Sequence, residues 1–437
     1  MISSGFLGIL PILIVIVLYF CGMPVAFSLF SAGLIYFGFI NTSSPVELIF
    51  QKFITSAQSF PLLAVPFFVM AGSIMNYSGI STKLMSVADV LTGHMKGGLA
   101  QSNVILSALM GGVSGSANAD AAMECKMLVP EMERRGFSKG FSAAVTAASS
   151  AITPIIPPGI DLIIYALLAQ ASVAKMFAAA YLPGFLMAAC LMVAVGIISR
   201  KRNYAPTREK KATGKEIVKQ CADSLWALLF PLGIVLGIRI GLFTPTEAGA
   251  FAVFYCTFVG IFIYKGLKKE HITKIFRETI NGTATVILVI VAANVFGYYM
   301  SWENIPKALT TSLLNVTTNK WLMLALVNIL LLVMGMFIEG GAALIIVAPL
   351  LIPVVKQLGV NPIHFGAMCI VNIMIGGITP PFGSMMFTCM SITGCKFEDF
   401  VKEIVPFIIA EIVCLLLVTF IPAISMCVPW LIFGPGA

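Results

Sequence analysis

Two stretches decide how this chain folds: Thr153-Pro154-Ile155-Ile156-Pro157-Pro158-Gly159 and Gly376-Gly377-Ile378-Thr379-Pro380-Pro381-Phe382-Gly383-Ser384. Each lies in the middle of an apolar run long enough to cross a bilayer, at about 137–170 and about 362–394. A proline removes an amide donor and clashes with the preceding turn, so two in succession unwind a helix. Unwound backbone at mid-membrane is tolerated only where protein buries it or where it lines a cavity. Both runs are therefore expected to be broken helices that serve a site; a pair of kinks used only for packing is the plainer alternative.

Working outward, the breaks belong to an internal repeat. Pro130, Gly136, Pro157, Pro158 and Pro183 recur as Pro353, Gly359, Pro380, Pro381 and Pro406, every one displaced by 223 residues. Ahead of each break lies a second interrupted stretch, at about 97–131 and about 321–356. Small residues weaken the middle of both: Gly111-Gly112-Val113-Ser114-Gly115-Ser116-Ala117-Asn118 in one and Gly335-Met336-Phe337-Ile338-Glu339-Gly340-Gly341 in the other. Half-segments of about 14 residues reach roughly 21 Å, short of the ~30 Å hydrocarbon core, so a re-entrant hairpin fits better than two crossings. Further apolar spans fall at about 5–20, 24–40, 61–77, 176–199, 222–241, 247–264, 280–300 and 403–428.

Composition agrees. Hydrophobic residues make up 59% of the 437 and charged residues 11%, with a mean hydropathy of +0.99. A soluble domain normally carries about 25% charged residues, so a soluble fold is excluded. The expected class is an all-α polytopic membrane protein of about ten spans, with two re-entrant hairpins and two broken helices. The first 46 residues up to Val46 carry no charge and lack the basic start of a secretory signal. The ten cysteines form no CxxC pair and read as small apolar fillers. No GxxxxGK[ST] motif is present, so the chain is not expected to hydrolyse ATP, and no enzymatic chemistry is expected of it.

The net charge of +8, from 27 Lys+Arg against 19 Asp+Glu, gives orientation rather than a nucleic-acid partner. If the first hairpin enters from the cytoplasm, loops 78–97, 132–140, 200–220, 265–277 and 395–403 lie inside and hold 20 of the 27. Lys52, Lys175, Arg239, Lys307, Lys320 and Lys356 then lie outside or at the outer boundary. Both termini fall outside, the second hairpin enters from the outer face, and the two repeats are inverted, as in secondary transporters. The expected divisions are scaffold helices and an arm at 1–60, a first transport repeat at 61–199, a cytoplasmic linker at 200–220, a second scaffold part at 221–279, a second transport repeat at 280–428 and a tail at 429–437.

Freed carbonyls suit a small hard cation such as Na⁺, and half-helix N-termini, each about +0.5 charge, suit an anion. One Na⁺ site is expected between the first hairpin tip and the first break, from Ser114, Ser116, Asn118, Thr153 and the backbone of Pro154 and Gly159. Symmetry predicts another from Gly335, Glu339, Gly376, Thr379, Gly383 and Ser384. Ser114, Ser149, Ser150, Asp161 and Glu339 are the candidate substrate contacts. The same polar residues also suit plain interhelical hydrogen bonds. Intramembrane carboxylates are costly, so Asp120, Asp161 and Glu339 carry weight, although Asp120 also fits a helix cap and Glu247 an ion pair with Arg239. His94, His271 and His364 are scattered and suggest no transition-metal site. The proposed cavity holds no arginine, so anion recognition must rest on helix dipoles, neutral donors and bound Na⁺.

Met70-Ala71-Gly72, Gly97-Gly98-Leu99-Ala100, the 111–117 stretch, Ala147-Ala148-Ser149-Ser150, Pro154-Ile155-Ile156-Pro157-Pro158, Phe243-Thr244-Pro245-Thr246-Glu247-Ala248 and Ile378-Thr379-Pro380-Pro381 closely resemble the large membrane (M) subunit of TRAP (tripartite ATP-independent periplasmic) transporters, the DctM-like family. The resemblance runs the length of the chain. It implies a Na⁺/organic-acid symporter of the bacterial or archaeal inner membrane, working by an elevator motion with two or more Na⁺. It also implies two partners, a small membrane (Q) subunit and a soluble periplasmic substrate-binding (P) protein. Many relatives have Ser where this chain has Gly159, and Asp where it has Glu339, so neither ligand transfers unchanged. The Pro157–Tyr165 wording resembles the sialic-acid or sugar-acid branch more than the C4-dicarboxylate branch. A stand-alone divalent-anion symporter or antiporter of related plan, or a membrane assembly protein without transport activity, is the competing expectation.

Overall fold

The computed structural model describes residues 4–41, 45–58, 60–111, 115–239 and 242–434, and the described residues form helices and no strand. The first half runs α1 (Ser4–Phe20), α2 (Val25–Ile35), α3 (Glu47–Ala57), α4 (Ala64–Ser78), α5 (Ile80–Thr92), α6 (Gly98–Met110), α7 (Ala117–Arg134), α8 (Lys139–Ser150), α9 (Ile160–Leu168) and α10 (Val173–Lys201). After α11 (Gly214–Asp223) come α12 (Leu225–Arg239), α13 (Pro245–Phe258), α14 (Lys269–Trp302), α15 (Ile305–Val316), α16 (Lys320–Phe337), α17 (Gly340–Gln357), α18 (Pro362–Ile378), α19 (Ser384–Thr393), α20 (Phe397–Phe420) and α21 (Pro422–Phe433). Six helices among the described residues are long and apolar enough to cross a membrane. Large apolar side chains such as Phe39, Phe254 and Leu431 are 82%, 68% and 77% exposed, an outer surface suited to lipid.

The 223-residue displacement governs element boundaries as well as prolines. α7 and α17 each hold 18 residues, and both their ends differ by 223. Ser138 caps α8 and Asn361 caps α18, each with a side-chain oxygen on a backbone N–H. Two residues before these caps, Gly136 and Gly359 both take positive φ, 85° and 69°, where a Cβ would be strained. The Pro157-Pro158 and Pro380-Pro381 bonds are both cis. α2 and α13 each run into one π-type turn, Tyr36–Ile40 and Val259–Ile263. α14, with 34 residues, corresponds to α3 and α4 joined. The repeat therefore reaches from the first helix to α20.

Packing is exchanged between the halves. α4 packs on α13 while α14 packs on α2, α7 packs on α19 while α17 packs on α9, and α8 packs on α20 while α10 packs on α18. Each contact in a pair is the repeat equivalent of the other, as a two-fold relation between halves requires. The divisions expected at 61 and 280 open on α4 and α14. α4 and α14 pack with α2, α3 and α13, the scaffold group, rather than chiefly with α6–α10 and α16–α21.

Two further expectations differ. The run at 403–428 is two helices, because Pro422 has no amide donor and opens α21 at its first turn. Residues 429–433, expected as tail, are the end of α21, and this helix packs on α10. Three of the four hairpin arms (α7, α16 and α17) have 18 residues, about 27 Å of helix, so they are longer than the interrupted sequence suggested.

The basic loops meet at one end. Tyr204 stacks on Phe137 at 4.3 Å and its hydroxyl accepts from the Ser138 N–H, while Arg202 pairs with Glu403 at 2.8 Å. The N–H groups of Thr207 and Arg208 donate to the Gly93 carbonyl at 2.7 and 3.0 Å. The linker is thus packed onto the bases of both halves. The Glu403 carboxylate pushes the Arg202 guanidinium above its ordinary pKa.

Candidate functional site

A cavity of about 140 Å³ lies where both hairpin tips and both broken helices converge. Gly115, Ser116, Ala117 and Asn118 come from the first tip, and Glu339, Gly340, Gly341 and Ala342 from the second. Pro154, Ile160, Asp161 and Ile164 flank the first break, and Gly377, Ser384 and Met385 the second. Four helices (α7, α9, α17 and α19) begin at this cavity, so four positive dipole ends face it. Among the described residues its lining holds two carboxylates, Asp161 and Glu339, and no Lys, Arg or His. Thr285, Val286 and Val289 of α14 close one side, so the scaffold group supplies a wall.

The breaks hold their shape through glycine. A Cβ at Gly159 would overlap the Pro154 carbonyl oxygen, and one at Gly383 would stand 2.5 Å from the Gly377 carbonyl oxygen. Only glycine lets the chain fold back this tightly before α9 and α19 start. The two tips then contact the opposite halves at equivalent positions. Asn118 Nδ2 donates to Ser384 Oγ at 3.4 Å, and Thr388 Oγ donates to Asn118 Oδ1 at 3.4 Å. Their partners under the 223-residue displacement are Gly341 and Asp161. A Cβ at Gly341 would stand 3.1 Å from Asp161 Oδ1, so the glycine makes room for the carboxylate.

Of the residues expected at the site, the structure brings Ser116, Asn118, Pro154, Asp161, Glu339 and Ser384 to this one cavity. Ser116 is also the N-cap of α7 and accepts from the Ala119 N–H. Ser114 lies outside the described residues. Gly335 and Gly376 lie behind the wall, where their backbones press together; a Cβ at Gly376 would stand 2.5 Å from Gly335 Cα. Thr153 donates to the Ser107 carbonyl at 3.3 Å and Thr379 to the Ile375 carbonyl at 2.6 Å, and neither lines the cavity, nor do Gly159 and Gly383.

Ser149 and Ser150 are not brought to the cavity. Both are fully buried on the face of α8 that meets α7, where their hydroxyls lie 3.4 and 3.3 Å from Glu124 Oε2. Ser107 Oγ lies 2.9 and 3.0 Å from the two Glu124 oxygens. Glu124, wholly buried, escaped the sequence reading because Met123-Glu124-Cys125-Lys126 has the look of an ordinary amphipathic arm. Asp120 is buried in the first turn of α7, its N–H donating to the Ser116 carbonyl. Glu247 caps α13: Thr244 donates to its carboxylate from N–H at 2.7 Å and from the hydroxyl at 2.9 Å. The carboxylate is thus the second half of a capping box, and the side chain of Arg239, its expected partner, lies outside the described residues.

Comparison with known proteins gives this site a family. A family model described as the DctM component of the tripartite ATP-independent periplasmic transporter matches residues 12–424. The chain is 35% identical over 419 residues to the sialic acid TRAP transporter large permease protein SiaM of Vibrio cholerae, covering 96% of this chain and 97% of that one. It is 32% identical over 430 residues to the C4-dicarboxylate TRAP transporter large permease protein DctM of Rhodobacter capsulatus, with 95% and 97% covered. The solved YdaH transporter of Alcanivorax borkumensis shares the fold, with a TM-score of 0.63 at 13% identity over 89% of each chain. Matched from end to end, with paired hairpins and broken helices around one cavity, the chain belongs to the DctM family, the large permease component of tripartite ATP-independent periplasmic transporters.

Proposed function

We propose that this permease carries an organic acid anion inward together with Na⁺, taking the anion from a soluble periplasmic binding protein and working beside a small membrane subunit. The observation that carries the reading is the convergence of four helix N-termini on a cavity lined, among the described residues, by two carboxylates and no basic side chain. The dipole ends favour an anion, whereas Asp161 and Glu339 repel one. Cations bound beside the carboxylates remove that conflict, so an anion and Na⁺ favour each other's binding. The relatives named for sialic acid and for C4-dicarboxylates both take organic anions, and a sugar acid such as sialic acid is the substrate class we favour. Two or more Na⁺ per anion would let the membrane potential drive accumulation, at about 2.3 kcal/mol per net charge per 100 mV.

Alternating access is proposed to be an elevator motion, in which the helices around the two hairpins slide past α14 and its scaffold neighbours. The crowding of basic loops at one end supports a cytoplasmic face there and periplasmic termini. The test is uptake by proteoliposomes containing the permease and its small subunit, with substrate-loaded binding protein outside. Uptake of a sugar acid that needs both an inward Na⁺ gradient and the binding protein is expected. Uptake that persists without the Na⁺ gradient overturns the coupling, and uptake without the binding protein favours a stand-alone symporter.

A further inference from the structure

Glu124 lies outside the cavity, wholly buried between α7, α6 and α8. An ionised carboxylate away from water needs a cation or several well-placed donors. Among the described residues no ion pair includes Glu124, and Lys126 on the same helix is exposed. The titratable groups that face it are Asp120 and Cys125 on its own helix and Cys389 on α19, none of them a cation. α6 and α8 offer only hydroxyl, amide and carbonyl groups: Asn103, Ser107, Thr146, Ser149 and Ser150.

The hydroxyl hydrogens decide the state of the carboxyl group, because each serine has only one to give. Ser150 Oγ stands 2.7 Å from the Thr146 carbonyl oxygen but 3.3 Å from Glu124 Oε2. Ser149 Oγ stands 3.1 Å from the same carbonyl and 3.4 Å from Oε2. Both hydrogens are better placed on Thr146. Among the described residues that leaves Ser107, and one donor does not satisfy an anion with about four acceptor sites. With a proton on Glu124 the groups close into a chain. Glu124 donates to Ser107 Oγ, 2.9 Å away, and Ser107 donates to the Asn103 carbonyl at 3.2 Å.

We propose that Glu124 is a proton-binding site inside the first hairpin, holding a proton that it donates to Ser107. The bound proton removes one buried charge from α7 where it packs on α8. The repeat-equivalent position in the second hairpin is Val347, so only one hairpin has this device. The inference goes beyond the transport reading and is tested without any uptake measurement.

The test is infrared difference spectroscopy of the full permease reconstituted with its small subunit, wild type minus E124Q, in H₂O and D₂O at neutral pH. Loss of a carboxylic-acid C=O band that shifts in D₂O is the expected result. Loss of a carboxylate band pair, with no acid band, overturns the proposal. Should E124Q fail to assemble, the S107A spectrum decides: an acid band moved to higher frequency, through loss of its acceptor, supports the site, and an unmoved acid region overturns it.

Discussion

Asp161 and Ser384 hold equivalent positions, 223 residues apart, yet one brings a carboxylate and the other a hydroxyl. Opposite them stand Gly341 and Asn118, also equivalents, and the small residue faces the charged one. Gly341→Ala sets a methyl group 3.1 Å from Asp161 Oδ1 and is expected to lower uptake at least tenfold while leaving assembly intact, checked by size-exclusion profile and transport assay. Asp161→Asn keeps the shape and removes the charge, so the Na⁺ concentration for half-maximal uptake is expected to rise several-fold; an unchanged Na⁺ dependence would remove Asp161 from the ion site. Asp161, Glu339 and the tip polar groups were legible because an intramembrane carboxylate or a polar cluster in a glycine-rich break is rare. Ser149 and Ser150 misled because nearness to a break in sequence does not say which face of α8 a side chain occupies. They lie one turn before the break, on the face toward Glu124.

At the scale of elements, the proline pairs and glycine-rich tips announced the broken helices and hairpins, since each acts through local backbone chemistry. What stayed hidden depends on distant packing: the fusion of α3-like and α4-like segments into α14, and the docking of the linker. Asn372 Nδ2 donates to Asn328 Oδ1 at 2.8 Å, and Asn328 Nδ2 donates to Thr419 Oγ at 2.9 Å, joining α18, α16 and α20. Asn372→Ala leaves buried polar groups unpaired and is expected to cost about 1–3 kcal/mol, read as a lower melting temperature in detergent. The linker gives a pH signature. Burial raises the Asp89 carboxyl above its ordinary value, with Arg208 at 3.8 Å and Arg135 opposing the shift. A carboxyl raised in the folded state contributes stability below its unfolded pKa and loses it as pH rises through the folded value. Asp89→Asn is therefore expected to flatten the fall in stability on leaving the acidic range, measured by thermal unfolding against pH.

For the whole molecule, charge counting and the repeat together anticipated that the basic loops share one end, and the contacts among residues 93, 137, 202–208 and 403 agree. A cysteine introduced at exposed Lys210 is expected to react with an impermeant thiol reagent only from the cytoplasmic side. The exchange of partners between halves carries a further consequence. Two tip-to-break contacts at the cavity (118 with 384, 341 with 161) join one half to the other. A chain severed at the exposed 209–211 stretch would thus hold two fragments, neither with a whole site. Ligand would then act as a molecular glue: its apparent affinity would depend on fragment concentration, and adding it would draw the halves together.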